Sequence, residues 1–137
     1  MAGSTASRGR RKSPPKRRQE VVDAAAQIFY EKGYEAASTQ DIADYVGLLK
    51  GSLYYYVDSK EEFLFEVIKE AHALAIKMLD DVRAAGGNAA QTLAHLVAAH
   101  LRFYLHNRIK ATVFFRDYRT LSPERRAAIS DLGQMYR

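Results

Sequence analysis

The sequence predicts an all-α protein, and three observations carry that reading. Proline occurs only at positions 14, 15 and 123 of the 137 residues, which leaves long stretches open to helix. β-Branched residues never alternate with polar ones over the length of a strand. Between the turn signals, apolar residues recur three and four apart, and small polar residues stand where helices would be capped.

The elements follow in order. Val22, Ala25, Ala26 and Phe29 fall at i, i+3, i+4 and i+7, predicting an amphipathic helix from about Lys16 to Lys32. Ser13-Pro14-Pro15 argues against helix before Lys16, and Gly33 stands where a left-handed cap belongs. Ser38-Thr39-Gln40-Asp41 has the form of a capping box and opens a short second helix that Gly47 interrupts. A third helix is expected over about Leu49 to Val57. Ser59-Lys60-Glu61-Glu62 is a second capping box, opening a long fourth helix that Gly86-Gly87 ends after about Ala85. Asn88, with Gln91 placed to reach back, caps a fifth helix to about Asn107. A sixth covers about Ile109 to Tyr118. Ser122-Pro123-Glu124 supplies cap, first-turn proline and first-turn acid for a seventh, which carries no stop signal before Arg137.

Composition bounds the function. With 47% hydrophobic and 27% charged residues, the chain can form one core or two small contiguous ones. The absence of cysteine excludes disulfides and thiolate chemistry. No apolar run approaches the roughly 20 residues of a membrane helix, and no secretory signal is present. These features predict a soluble cytoplasmic protein. Arg8, Arg10, Arg11, Lys12, Lys16, Arg17 and Arg18 place +7 in the first 19 residues, leaving −2 of the +5 total for the other 118. Residues 1–18 therefore read as a disordered basic arm that seeks a polyanion.

Helices two and three, joined by a glycine turn, have the spacing of a helix-turn-helix, whose second helix enters the DNA major groove. Ile42, Val46 and Leu53 can bury against Phe29, and Ala43 is small where the helices approach. At 100° per residue, Leu49, Leu53 and Val57 form the inward stripe of the third helix. Gly51, Ser52, Tyr54 and Tyr55 point outward, with Lys50 and Tyr56 on the flanks. A small residue, a hydroxyl and aromatics suit a groove better than water. Gly51 admits close backbone approach, Ser52 bonds a base edge or phosphate, and tyrosine meets thymine methyls and phosphate oxygens. For Tyr56 two readings stand, packing against a neighbouring helix or DNA contact. Lys60 opens the fourth helix, where its ammonium and the free N–H groups both favour an anion.

The segment STQDIADYVGLLKGSLYYYVDSKEEF, Ser38 to Phe63, closely resembles the DNA-binding signature of TetR-family transcriptional repressors, and AAAQIFYEKGYEAAS before it resembles their first helix and turn. The likeness is dense from about Glu20 to Val67. It implies that Thr39 and Gln40 touch the DNA backbone and nearby bases, and that Lys50, Gly51 and Ser52 begin the base-reading helix. It also implies that Tyr54 and Tyr56 grip phosphates and thymine, and that Lys60 holds a phosphate. Two positions depart from the pattern: Leu49 stands where a hydroxyl or acid cap is common, and Val57 where phenylalanine is. The helix layout beyond Val67, with FFRDYRTLSPERRAAI, looks like the acyl-CoA-type regulators of lipid and steroid catabolism within the family.

The expected architecture is a three-helix helix-turn-helix DNA-binding head over residues 19–66, joined by a long helix to a partial helical ligand-binding domain over 67–137. Leu74, Met78, Leu96, Phe103, Tyr104, Val113, Phe114 and Phe115 supply apolar material, as bundle core or as a pocket. Met78, Phe103, Phe114 and Phe115 are the pocket candidates, since they suit a flexible apolar ligand. His72, His95, His100 and His106 lack metal-ligand spacing, and no catalytic grouping or cofactor motif is visible, so no metal, cofactor or enzyme activity is expected. The resemblance implies two further C-terminal helices that build a dimer interface, and on that pattern the second domain reads as truncated.

The function expected is a sequence-specific DNA-binding repressor, acting on a palindromic operator as a homodimer once those helices are supplied. A small apolar or acyl-CoA-like effector would release it. An adaptor or ligand-binding protein using its basic arm on a membrane or acidic partner is the rival reading, and a non-specific nucleoid-type binder is a third.

Overall fold

A computed structural model describes residues 14–135, and among these it contains seven α-helices and no strand. They are α1 (Pro14–Lys32), α2 (Thr39–Val46), α3 (Lys50–Leu53), α4 (Lys60–Ala85), α5 (Ala89–His106), α6 (Arg108–Asp117) and α7 (Pro123–Met135). A short 3-10 turn, Tyr118–Thr120, follows α6.

The caps form as the sequence dictates. The Ser38 hydroxyl accepts from the Asp41 N–H at 3.1 Å, and the Asp41 carboxylate accepts from the Ser38 N–H at 2.9 Å. Asn88 and Gln91 make the same reciprocal pair at α5. At α4 only half of the expected box forms. Ser59 caps Glu62, but the Glu62 carboxylate bonds the Asp58 N–H at 2.8 Å, one residue upstream of the cap. Gly33 and Gly47 take φ of 79° and 70°, the left-handed region in which a Cβ would be strained.

Helix α1 begins at Pro14, two residues before its expected start, because proline is well suited to a first turn that needs no N–H donor. Lys16, Arg17 and Arg18 therefore belong to a helix and not to the arm expected over 1–18. Arg17 pairs with Glu20 at 2.9 Å and Arg18 with Glu66 at 3.5 Å. The remainder of that arm, 1–13, lies outside the described residues, as do Tyr136 and Arg137, over which the seventh helix is expected to continue.

Among the described residues one apolar core joins α1, α2, α3 and α4 to α6 and α7, and α5 adds no buried side chain to it. Val22, Ala25, Ala26 and Phe29 of α1 meet Ile42 and Ala43 of α2, Leu53 of α3 and Phe63, Leu64, Val67 and Ile68 of α4, all buried. The same cluster continues into Val113, Leu121 and Ile129, so packing does not part at residue 66.

Two cations on α6 tie the later helices to α1. Lys110 Nζ lies 3.0 Å from Asp23 of α1 and 2.7 Å from Glu70 of α4. Arg116 donates to the carbonyls of Phe29 and Tyr30 at the end of α1, where the helix dipole is negative. The buried Asp117 carboxylate holds that guanidinium at 3.0 Å.

Candidate nucleic-acid interface

The third helix is shorter than its pattern suggests. Regular α-helix covers only Lys50–Leu53, and Tyr54 to Tyr56 continue as a turn. The Tyr56 N–H and the Val57 N–H both reach the Leu53 carbonyl, at 2.9 and 3.2 Å. Leu53 and Val57 are drawn into the core from either side of the three rings, and the turn tightens between them.

Leu49 corrects the expected inward stripe. Leu53 and Val57 are buried, but Leu49 is 80% exposed. Its backbone is extended, φ −70° and ψ 144°, as the N-cap position requires, so the 100° step of the helix does not extend back to it. Leu48 packs against the core in its place.

The outward residues stand where the pattern predicts. Lys50, Gly51 and Ser52 are exposed, Tyr55 is 81% exposed and Tyr54 45%. They form one continuous exposed strip with Leu49. A Cβ built on Gly51 meets no atom within 4 Å, so nothing in the fold demands glycine there. Tyr56 is half-buried against the core, and its ring takes the Tyr55 ring edge-on at 5.3 Å. Of the two readings for Tyr56, packing is thus present in the free chain, and a DNA contact would have to come from its remaining exposed part.

Thr39 and Gln40 lie in the first turn of α2, Thr39 half-buried and Gln40 exposed with its amide on Asp44 at 2.8 Å. The cap that fixes this turn is charge-stabilised. The Ser38 N–H, followed by Lys32 at 3.1 Å, holds the Asp41 carboxyl below the usual carboxylate range. Lys60 sits apart from the strip. Its ammonium lies 4.3 Å over the Tyr34 ring and donates to the Glu35 carbonyl at 3.4 Å, a cation–π seat that holds the charge at the turn after α1. Burial and the neighbouring Glu61 and Glu35 raise the Tyr34 hydroxyl above its ordinary pKa.

Sequence reasoning missed the outward Leu49, the seat on Tyr34 and the exposure of Tyr45 on α2, 59%. The run of small and aromatic residues, Gly51, Ser52, Tyr54 and Tyr55, was visible in the chain. The seat was not, because it joins positions 34 and 60 through tertiary packing.

The four pocket candidates separate into two places. Met78 and Phe103 line a groove of about 640 Å³ between α4 and α5, with Leu74, Val82, Lys77 and Arg102. Phe114 is half-buried beside the core, stacked on Tyr118 at 5.4 Å and parallel to His72 at 6.3 Å. Phe115 is 66% exposed. Among the described residues no three His, Cys, Asp or Glu side chains gather to hold a metal, and no helix is long and apolar enough to cross a membrane.

Comparison with known proteins matches these two regions separately. Residues 21–67 match the model of bacterial regulatory proteins of the tetR family, and 86–137 match a tetracyclin repressor-like C-terminal domain. The HTH-type transcriptional repressor KstR2 of Rhodococcus jostii is 47% identical over 53 residues, 39% of this chain and 26% of that protein. The structure of the ketosteroid regulator KstR2 of Mycobacterium tuberculosis superposes with a TM-score of 0.76 at 30% identity, covering 93% of this chain and 64% of that one. AibR, solved with isovaleryl coenzyme A and operator DNA, superposes at 0.75 with 25% identity, covering 87% and 64%. This chain thus spans less than two thirds of the length of each of these relatives. The helix-turn-helix geometry and both matched segments, which together take in most of the residues, agree: the chain belongs to the TetR family of bacterial regulatory proteins.

Proposed function

We propose that this chain binds double-stranded DNA as a sequence-specific transcriptional repressor, with the exposed strip from Lys50 to Tyr55 as its reading surface. The observation that carries the proposal is Gly51, a helical glycine open to solvent on a strip of hydroxyl, ammonium and phenol groups. Glycine is a weaker helix former than alanine, and here the fold gains no contact from it, so the space is kept for something outside the chain. Lys50 and Ser52 would read base edges, Tyr54 and Tyr55 would meet thymine methyls and phosphate oxygens, and Thr39, Gln40 and Lys60 would hold the backbone. Tyr56 would support Tyr55 and reach the backbone with its phenol.

The finer proposal is release by a small apolar or acyl-CoA-like effector. The α4–α5 groove combines Met78 and Phe103 with the cations Lys77 and Arg102 and a single acid, Asp81, an apolar slot whose two cations suit a phosphorylated ligand. The relative AibR was solved with an acyl-CoA and operator DNA, which supports the same class. Action as a homodimer in the cytoplasm on a palindromic operator belongs to this proposal, with two heads set about 34 Å apart by one DNA turn.

Selection from random DNA tests it. The chain should enrich one motif, and Lys50→Ala and Tyr54→Ala should weaken binding and relax preference within it. Equal affinity and preference for both variants would refute the contact assignment. Acyl-CoAs of graded chain length, added to the protein–DNA complex, should dissociate it and raise the melting temperature of the free protein.

A further inference from the structure

Leu49 breaks two local rules with no compensation inside the fold. It stands at the N-cap of α3, where Ser, Thr, Asp or Asn would accept from the first-turn N–H groups, and it makes no side-chain cap bond. It is also 80% exposed, so its side chain gains nothing from burial, and the core contact of this turn is made by Leu48. A lone exposed leucine is ordinary on a protein surface. This one displaces a cap and heads a strip, Lys50, Gly51, Ser52, Tyr54 and Tyr55, that is exposed throughout. Local inconsistencies of this kind collect where a partner completes the site.

The chemistry of the partner narrows what Leu49 can touch. Base edges in the major groove are donors and acceptors, with one apolar group among them, the thymine 5-methyl. A phosphate oxygen offers an isobutyl side chain nothing. We propose that Leu49 is a specificity-determining residue that packs on a thymine 5-methyl beside the bases met by Lys50 and Ser52. This rests on the DNA-binding reading above and adds to it a residue and a base. In place of a hydroxyl that serves the helix, the chain carries an apolar group that serves the groove.

The test uses DNA selected by the full chain from random duplexes. Each thymine of the selected motif is replaced in turn by deoxyuridine, which deletes only the 5-methyl, and affinity is measured for the chain and for Leu49→Ala. At one thymine the chain should lose about fourfold, the effect of one buried methyl-sized group. Leu49→Ala should be indifferent at that thymine and respond like the parent at every other. Leu49→Ser should melt at a higher temperature, since it restores a cap, yet lose the same thymine preference. If the chain and Leu49→Ala respond identically to every replacement, the Leu49 contact is overturned while DNA binding stands. If the chain enriches no sequence, both proposals fall.

Discussion

Gly51→Ala separates the demands of the fold from those of DNA. Gly51 has no positive φ, and a Cβ on it meets nothing within 4 Å, so alanine fits the free chain without strain. Alanine in a helix is favoured over glycine by about 0.5–1 kcal/mol. For a domain of this size that gain should appear as a rise of about 4 °C in melting temperature, read by circular dichroism. Under the proposed function the same methyl points at DNA. Inserting a methyl into a closely packed contact costs about 1–3 kcal/mol, a weakening of roughly 5- to 150-fold. Fluorescence anisotropy on the selected motif measures it. The predicted variant is therefore more stable and a poorer binder. A fall in stability would mean that Gly51 is structural. A rise in stability with unchanged affinity would remove the observation on which the proposed function rests.

Removing Arg116 uncaps α1 and leaves the buried Asp117 without its partner, so Arg116→Ala should lower the urea-unfolding free energy by about 2–3 kcal/mol. Arg116→Lys should recover only part, since an ammonium cannot span both carbonyls and the carboxylate. Burial works against the Lys110 ammonium, but hydrogen bonds to Glu70 and Asp23 outweigh it and raise its pKa. Its stabilisation is then fully present at neutral pH and lost as pH rises through the raised value. Lys110→Ala should cost about 1–2 kcal/mol near pH 7, and the difference in melting temperature from the parent should shrink only in strong alkali. Burial lowers the pKa of His72, whose Nε2 is enclosed without a partner. The unfolded chain therefore binds the proton first, and stability should fall as pH drops below about 6.5. Replacing His72 by Leu should flatten that acid slope in denaturation midpoints measured between pH 7 and 5.

What was legible in the sequence was local. The caps at Ser38 and Asn88 and the breaks at Gly33, Gly47 and Gly86 are encoded within four residues, and they appear where the chain places them. The outward positions of Gly51 and Ser52 follow from helical phase alone. Phase fails at the two ends of α3, where the chain is no longer helical. Leu49 leaves the stripe because a cap residue is extended, and Tyr54 to Tyr56 tighten because Leu53 and Val57 are both pulled inward. The pocket candidates were chosen by residue type, which cannot say which helix faces which. Met78 and Phe103 share a groove because α4 and α5 pack together, while Phe114 turns to Tyr118 and Phe115 to solvent.

The geometry also constrains how a ligand could act under the proposed function. Helix α4 is about 39 Å long at 26 residues, with Phe63, Leu64 and Val67 in the core of the head and Met78 in the groove. A ligand between α4 and α5 therefore presses on the same rigid element that packs into the core of the head. The head is not free to follow passively, because α6 binds α1 at both ends of their contact, through Lys110 and Arg116. Tilting α4 must stretch the Lys110–Glu70 bond, which joins α4 to α6, or carry α6 and α1 with it. Weakening that bond should make the head easier to move. Lys110→Ala should accordingly lower the acyl-CoA concentration needed to dissociate DNA, with ligand affinity for the free protein little changed. If the two shift together, the lysine acts on the groove itself and does not couple groove to head.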